Sequence, residues 1–567
     1  MTRHFKNWFS SYGSVLAIRD IRMLFSGLAI STTGSWAYNV ALLAFVYGRT
    51  HSLAWVGATG FARFLPQLLL SPYSGVIVDR VDRFRLLFFT NILCLVWMCL
   101  LAVVALTNGP VVLALAFCVL SAATAVFEMP AVGATVPTLV PESNLVSANA
   151  LQSTIDNLVI VLGPAIGAVL LLAGSPAVVF FINAASFGAA AFFVTRIDYR
   201  SSKVDVTDGG SAGPLKQMGV GVKAILGARS ARALVALCAL VSFVYGTDTV
   251  LFVGVSAHKL GTGANGFGYL LAGLGIGGVL MATAVDKLAA RTHLAWVILA
   301  GVAGYTLPTA LMTVIRAPEL AVVVQVVRGG STLVVDVLAL TALQRAVPKD
   351  QLGRVMGVFW AFIIASIALG TVITPAISGG FGLDAGLWTM ALAPPLVALL
   401  ALPALLRVDR ETAAASVLLA PKVALLEQLG IFASASRTLL ERLASQAEER
   451  EFAAGAELIT QGDQADYLYV LSDGSVEVTS SGEGGGPARP IRTMEAPTYF
   501  GEIGILQHIP RTANVSARTA CRCLLIDGQT LLEALGTSSP SSAMLARTAS
   551  LLAVTHPSAQ PEPVASS

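Results

Sequence analysis

Ser74-Gly-Val-Ile-Val-Asp79-Arg80-Val-Asp82-Arg83-Phe84-Arg85 is a short charged stretch held between two apolar segments, each long enough for a helix. Gly75 has no side chain to keep neighbouring helices apart, and Asp79 can accept from a helix N-terminus or a guanidinium. Arg80, Arg83 and Arg85 are expected to remain in water near anionic head groups, which makes the stretch a cytoplasmic loop between two membrane spans. Working outward, apolar runs of the roughly 20 residues needed to cross a hydrocarbon core recur from Ile21 to Leu406. The predicted spans are 22–47, 54–78, 86–106, 110–136, 145–172, 176–194, 232–255, 265–286, 294–315, 320–345, 354–380 and 386–406, about twelve in all.

Composition agrees with that reading. Of 567 residues, 55% are hydrophobic and 12% charged, with a mean hydropathy of +0.75, which excludes a soluble globular enzyme and predicts a polytopic membrane protein. The net charge of +3 gives no nucleic-acid footprint. Lys and Arg concentrate in the even connections (Arg80, Arg83, Arg85; Arg196 to Arg229; Lys287, Arg291; Arg345 to Arg354), whereas the odd ones hold Arg49, Lys259 and Arg316. Positive charge stays inside, so both termini are expected in the cytosol. Residues 1–17 read as an interfacial lead-in with no cleavable signal peptide. The six cysteines form no metal-ligand spacing, and the Cys521-x-Cys523 pair reads as strand packing. No nucleophile constellation or ATP-binding loop is evident, so neither an enzyme nor a metal cofactor is expected.

The opening stretch resembles the signature loop of the major facilitator superfamily, roughly G-x-x-x-D-R-x-G-R-R, with Asp82 and Phe84 as departures. Further runs are similar to bacterial drug and siderophore exporters of that superfamily. They are Phe127-Glu-Met-Pro130 through Pro137-Thr-Leu-Val-Pro141, Ser147-Ala-Asn149, Gly163-Pro164-Ala-Ile-Gly167 and Val347-Pro348 through Gly353-Arg354-Val-Met-Gly357. The resemblance implies two six-helix halves, 1–196 and 232–406, joined by a cytoplasmic loop at 197–231, with Asp286-Lys287 and Arg291 echoing the first loop. It also implies a bacterial inner membrane, a small-molecule substrate and a gating loop at Gly75, Asp79, Arg80 and Arg83. Asp79 would meet the eleventh span near Gly353-Arg354.

Ionisable residues inside the spans are functional candidates, since each is costly there unless paired, protonated or turned inward. They are Arg63, Glu128, Asp156, Asp248, Arg328 and Asp336. Depth along the helices predicts Arg63 and Asp156 as mid-membrane neighbours, either a static pair or a carboxylate that exchanges a proton. Arg328 and Asp336 are eight residues apart, on different azimuths, and should not pair; Asp248 reaches Arg328 only with extended side chains. Glu128 and Asp336 fall nearer the cytoplasmic third. Trp36 and Asn39 share a helix face and are candidates for a substrate wall.

After Arg407 the pattern changes to a small-residue linker at 407–423, two helices, and then strand-like runs at 457–460, 467–471, 475–479, 490–493, 513–517 and 521–526, separated by Gly455, Gly462-Asp463 and Asp473-Gly474. This is an all-β roll with flanking helices, cytosolic, spanning 424–555 before a disordered tail at 556–567. Its chemistry lies in Phe500-Gly501-Glu502-Ile503-Gly504, then Pro510-Arg511-Thr512-Ala513. An anion clamp beside a hydroxyl acceptor suits a cyclic nucleotide. The stretch looks like the phosphate cassette of cyclic nucleotide-binding domains. That resemblance implies Glu502 on the ribose 2′-hydroxyl, Arg511 on the phosphate, and Gly501, Ile503, Ala513 and the Thr512 hydroxyl completing the cradle for cAMP or cGMP. A lid helix would fall at 541–554. The whole reads as a proton-coupled exporter of a small amphipathic molecule regulated by the nucleotide. The competing readings are a transporter-like receptor, or an importer or lipid flippase with a structural roll.

Overall fold

The computed structural model describes residues 13–536 apart from 142–143, 199–213, 283, 286–287, 289–292, 348, 433–434, 436, 481–488 and 508. The expected echo at Asp286-Lys287 and Arg291, the lid at 541–554 and the tail at 556–567 lie outside the described residues. The chain separates into two compact units, Met1–Asp409 and Arg410–Ser567.

In the first unit, fourteen elements follow in order: α1 (Arg19–Thr50), α2 (Leu53–Arg80), α3 (Arg83–Leu106), α4 (Val111–Ala125), α5 (Glu128–Leu139), α6 (Leu145–Ala173), α7 (Pro176–Thr195), α8 (Pro214–Gly227), α9 (Arg229–His258), α10 (Phe267–Ala282), α11 (Leu294–Thr306), α12 (Pro318–Ala346), α13 (Lys349–Phe381) and α14 (Leu383–Leu399). By length and composition, 10 helices among the described residues are apolar enough to cross a membrane, with α4 and α5 counted as one. The first predicted span falls on α1, whose Ser31, Thr32, Thr33, Ser35 and Asn39 keep it out of that set, and the last falls on the 17-residue α14. Apolar side chains on these helices face one another and, on the outside, present Leu69, Phe89, Leu172 and Leu396 to the surroundings, as expected where the solvent is hydrocarbon.

Packing runs within two groups: α1 against α6 and α7, and α3 against α7 in one; α9 against α12 and α13, α10 against α12, and α11 against α14 in the other. The groups meet along α2 with α13 and α6 with α10. At these meetings glycine is required by space. A Cβ on Gly57 would stand 2.3 Å from the Thr371 carbonyl oxygen, one on Gly60 2.7 Å from the Thr371 methyl, and one on Gly268 2.6 Å from Ala168 Cβ. At the same end the Tyr47 hydroxyl lies 2.6 Å from His258 Nε2, and Lys259 pairs with Asp384.

The loop that opened the sequence behaves differently. Asp82, where the family pattern has glycine, caps α3 by accepting from the Arg85 backbone N–H at 2.9 Å. Arg83 donates to the Ala134 carbonyl at 2.8 Å. A Cβ on Gly75 would meet nothing within 4 Å, so the expected close helix approach at Gly75 is absent. Asp79 and Arg80 are exposed, and among the described residues Asp79 has no hydrogen bond or ion pair to the start of α13. A cavity lined by α2 and α13, described below, lies at this end.

The second unit begins within α15 (Leu402–Glu427), followed by α16 (Arg437–Gln446), β1 (Glu448–Phe452), β2 (Glu457–Ile459), β3 (Tyr467–Asp473), β4 (Ser475–Ser480), β5 (Arg489–Glu495), β6 (Thr498–Phe500), α17 (Glu502–Gln507), β7 (Asn514–Ala517), β8 (Cys521–Asp527) and α18 (Gly528–Gly536). The expected linker at 407–423 is therefore helical. Two four-stranded antiparallel sheets, ordered β1-β8-β3-β6 and β2-β7-β4-β5, close over Leu471, Val476, Val515, Cys523 and Leu525. Cys521 and Cys523 both point inward as free thiols, in keeping with the alternation of a half-buried strand. Strands β1 and β6 escape sequence reading, the first because four of its five residues are charged and the second because it has three residues.

Candidate functional sites

In the roll, the cassette is assembled by a turn that only glycine tolerates. Gly501 has φ +83°, and a Cβ there would also stand 2.6 Å from Arg511 Nη1. This turn starts α17 with Glu502, which is 7% exposed. Arg511, 6% exposed, donates from Nη1 to the Gly501 carbonyl and from Nη2 to the Tyr467 carbonyl, each at 2.8 Å. Its guanidinium lies 5.8 Å from the centroid of Tyr469, which stacks on Phe500 at 5.3 Å. The Gly462-Asp463 turn fixes the arginine's backbone: Arg511 N–H donates to the Asp463 carbonyl at 2.8 Å, and its carbonyl accepts from Gly462 at 2.9 Å.

Gly501, Glu502, Ile503, Arg511, Thr512 and Ala513 line one pocket, with Ile459, Val478, Phe500 and Val515 as its apolar wall. All six cassette residues are thus brought together. Arg511 keeps three of its five N–H donors for a ligand. Burial pushes the Glu502 carboxyl above its ordinary range, opposed by a hydrogen bond from its own backbone and by Arg492 and Arg511; burial likewise lowers Arg511. Arg492 lines the same pocket, and sequence reading passed over it. It stands on β5 opposite Val478, ten residues before Glu502, and only the strand pairing shows that it faces the site.

In the first unit, the charged residues sort into two arrangements. Arg328 is fully buried and engages four of its five N–H donors: Nη2 bonds both carboxylate oxygens of Asp248 at 3.0 and 2.7 Å, Nε the Tyr305 carbonyl at 2.7 Å, and Nη1 Gln325 Oε1 at 2.5 Å. The Tyr305 hydroxyl donates to Asp248 at 2.8 Å, and the rings of Phe252 and Tyr305 flank the guanidinium at 4.8 Å. Asp248 and Arg328 therefore pair directly across α9 and α12, the reach that the sequence left conditional on extended side chains. Asp336 stands apart on the exposed part of α12, unpaired with Arg328 as expected.

Arg63 is the opposite case. Asp156 does not pair with it: among the described residues Arg63 has no hydrogen bond or ion pair, and its guanidinium lies 5.8 and 5.5 Å from the rings of Trp36 and Phe64. Equal depth on two helices does not set their azimuths, and α2 turns Arg63 toward a cavity instead. Glu128 accepts weakly from the Ser31 hydroxyl at 3.5 Å. The cavity, about 700 Å³, is lined by Arg63, Gln67, Ser71, Met129, Arg354 and Trp360 among others, and lies toward the end that carries the Asp79 loop. Neither Trp36 nor Asn39 lines it; Asn39 is buried in the core of α1. No group of three metal-ligating side chains occurs among the described residues.

A family model described as Major Facilitator Superfamily matches residues 24–363, and one described as Cyclic nucleotide-binding domain matches residues 449–538. An uncharacterised MFS-type transporter of Bacillus subtilis is 30% identical over 183 residues, 31% of this chain and 43% of that protein. The Staphyloferrin A transporter of Staphylococcus aureus is 26% identical over 186 residues, 32% of this chain and 47% of that protein. A cAMP-dependent protein kinase regulatory subunit of Schizosaccharomyces pombe is 30% identical over 112 residues, 20% of this chain and 26% of that protein. The chain thus spans between about a quarter and a half of the length of these relatives.

Proposed function

Because the chain belongs to the major facilitator superfamily, whose model covers residues 24–363 of its 567, and carries a cyclic nucleotide-binding domain at 449–538, we propose that it is a secondary active carrier under nucleotide control. In this reading the first unit is a proton-coupled exporter of a small amphipathic molecule in a bacterial inner membrane, with the Arg80–Arg85 end and the roll in the cytosol. Lys and Arg on that end support the orientation. The cavity toward that end and the tight glycine seam at the other suit a carrier standing open to the cytoplasm. Glu128 and Asp156 are the candidate proton sites, because an intramembrane carboxylate that exchanges a proton can couple flux to a gradient without ATP.

The convergence of all six cassette residues on one pocket carries the regulatory part. A nucleotide phosphate would take the free donors of Arg511, and a ribose hydroxyl would donate to Glu502. Nucleotide changes transport only by as much as its affinity differs between carrier states; a coupling of about 1 to 3 kcal/mol corresponds to roughly 5- to 150-fold. The test is substrate counterflow in proteoliposomes, with and without cAMP or cGMP, for wild type and Arg511→Ala. A nucleotide effect in wild type that is lost in the variant is expected. Flux that ignores both nucleotides removes the regulatory reading, and a protein that moves nothing removes the carrier.

A further inference from the structure

We propose that the α2/α13 cavity binds an anionic amphipathic small molecule, with Arg63 as its counter-charge and Arg354 at the rim. This rests on the carrier reading and narrows its substrate class. Three observations converge on it.

Arg63 and Arg354 are the charged side chains that line the cavity, and no carboxylate does so among the described residues. Arg63 is half-buried yet lacks a hydrogen bond or ion pair among the described residues, having ring contacts alone. A cation within a membrane segment is costly without a partner, and Glu128 is engaged by the Ser31 hydroxyl instead. An anion in the cavity would supply the partner that the described residues do not. The cavity is lined from α2, α4 and α5 of one helix group and from α13 of the other, so Arg63 faces a space between the two groups, where a transported molecule would rest.

The remaining lining fits the apolar part of such a molecule. Phe64 and Trp360 offer flat faces, Met129 and Met218 adaptable ones, and Gln67 and Ser71 polar points near the guanidinium. A cationic amphiphile would bring like charge to Arg63 and find no carboxylate among the described lining residues.

The experiment uses the full chain in nanodiscs and two xanthene dyes of similar size and opposite charge, anionic fluorescein and cationic rhodamine 123, read by fluorescence polarisation against empty nanodiscs. Saturable fluorescein binding, at least about 10-fold tighter than rhodamine 123, is expected from a charge-assisted contact. Arg63→Ala should weaken it about 10-fold or more, Arg63→Lys should retain most of it, and Arg354→Ala should have the smaller effect. Fluorescein binding should persist with the roll saturated by cAMP, which excludes dye held in the roll. Rhodamine 123 binding as tightly as fluorescein, no saturable fluorescein binding, or an Arg63→Ala variant that binds fluorescein like wild type while keeping its thermal transition overturns the proposal. Counterflow of the same dyes separates it from the carrier reading. Flux of rhodamine 123 alone leaves a carrier and removes the anion site, whereas Arg63-dependent binding with no flux leaves the site and removes the carrier.

Discussion

Arg328 and Arg63 sit in corresponding surroundings, each on an apolar helix and each flanked by two aromatic rings, yet the two helix groups treat them in opposite ways. Arg328 spends four of its five donors on Asp248, Gln325 and a backbone carbonyl; Arg63 is left with its rings. A buried pair so engaged is expensive to break and has little left to offer a ligand, while an arginine with free donors has the reverse properties. The roll lies between these extremes: Arg511 spends two donors on carbonyls and keeps three. Residual donor capacity, rather than charge or depth, thus separates a structural arginine from a binding one.

The comparison breaks first at Asp248. Asp248→Ala should leave Arg328 buried and unmatched and destabilise the first unit by about 3 to 5 kcal/mol, seen as a large drop in its thermal transition in detergent. Adding Arg328→Met should recover most of that loss, and an Asp248→Ala variant as stable as wild type would show the network to be dispensable. Next in size, Arg511→Ala should weaken cyclic nucleotide binding by about 1.5 to 3 kcal/mol, roughly 10- to 150-fold, by titration calorimetry on the full chain. An unchanged affinity would place the phosphate elsewhere.

Glu502→Gln sharpens the contrast from the acidic side. Burial raises the Glu502 carboxyl in the fold, so the folded state holds its proton more tightly than the unfolded chain. Stability of the empty roll therefore falls as pH rises from the ordinary glutamate value through the raised one. The glutamine variant should escape that fall and gain up to about 1 kcal/mol at pH 7, read as slower amide exchange of α17 in the full chain, with the advantage vanishing near pH 4. Equal exchange at both pH values would show that the carboxylate is well solvated. Smallest of all, Arg63→Ala should shift the stability of the first unit by less than about 1 kcal/mol, because no ion pair is lost; a drop as large as that of Asp248→Ala would place a hidden partner beside Arg63.

Much of this was legible before any coordinates. Hydropathy located the spans because twenty apolar residues in a row have few other uses, and the cassette was readable because a glycine, an acid and an arginine stand in fixed order on a short loop. Azimuth was not legible. Arg63 and Asp156 match in depth, but the facing direction of each helix is set by packing such as Gly163 against Trp36, where a Cβ would stand 2.3 Å away. Local contact was not legible either: Gly75 and Asp79 look like a closed latch in sequence, yet Asp79 is exposed and a Cβ on Gly75 would meet nothing within 4 Å. Arg492 was missed because a charged residue on an exposed strand gives no sign of which neighbour it faces.

The unequal treatment of the two arginines also decides what an electric field can grip. The Asp248–Arg328 pair is neutral as a unit, so a rocking helix that carries it moves no net charge through the field. Arg63 carries one uncompensated positive charge when the cavity is empty and none when an anion fills it. A full crossing of the field is worth about 2.3 kcal/mol per 100 mV for each elementary charge. In the proposed carrier, membrane potential would act on the Arg63 charge in the empty state and not in the anion-filled one, and any voltage dependence that remains with anion bound would come from Glu128 and Asp156.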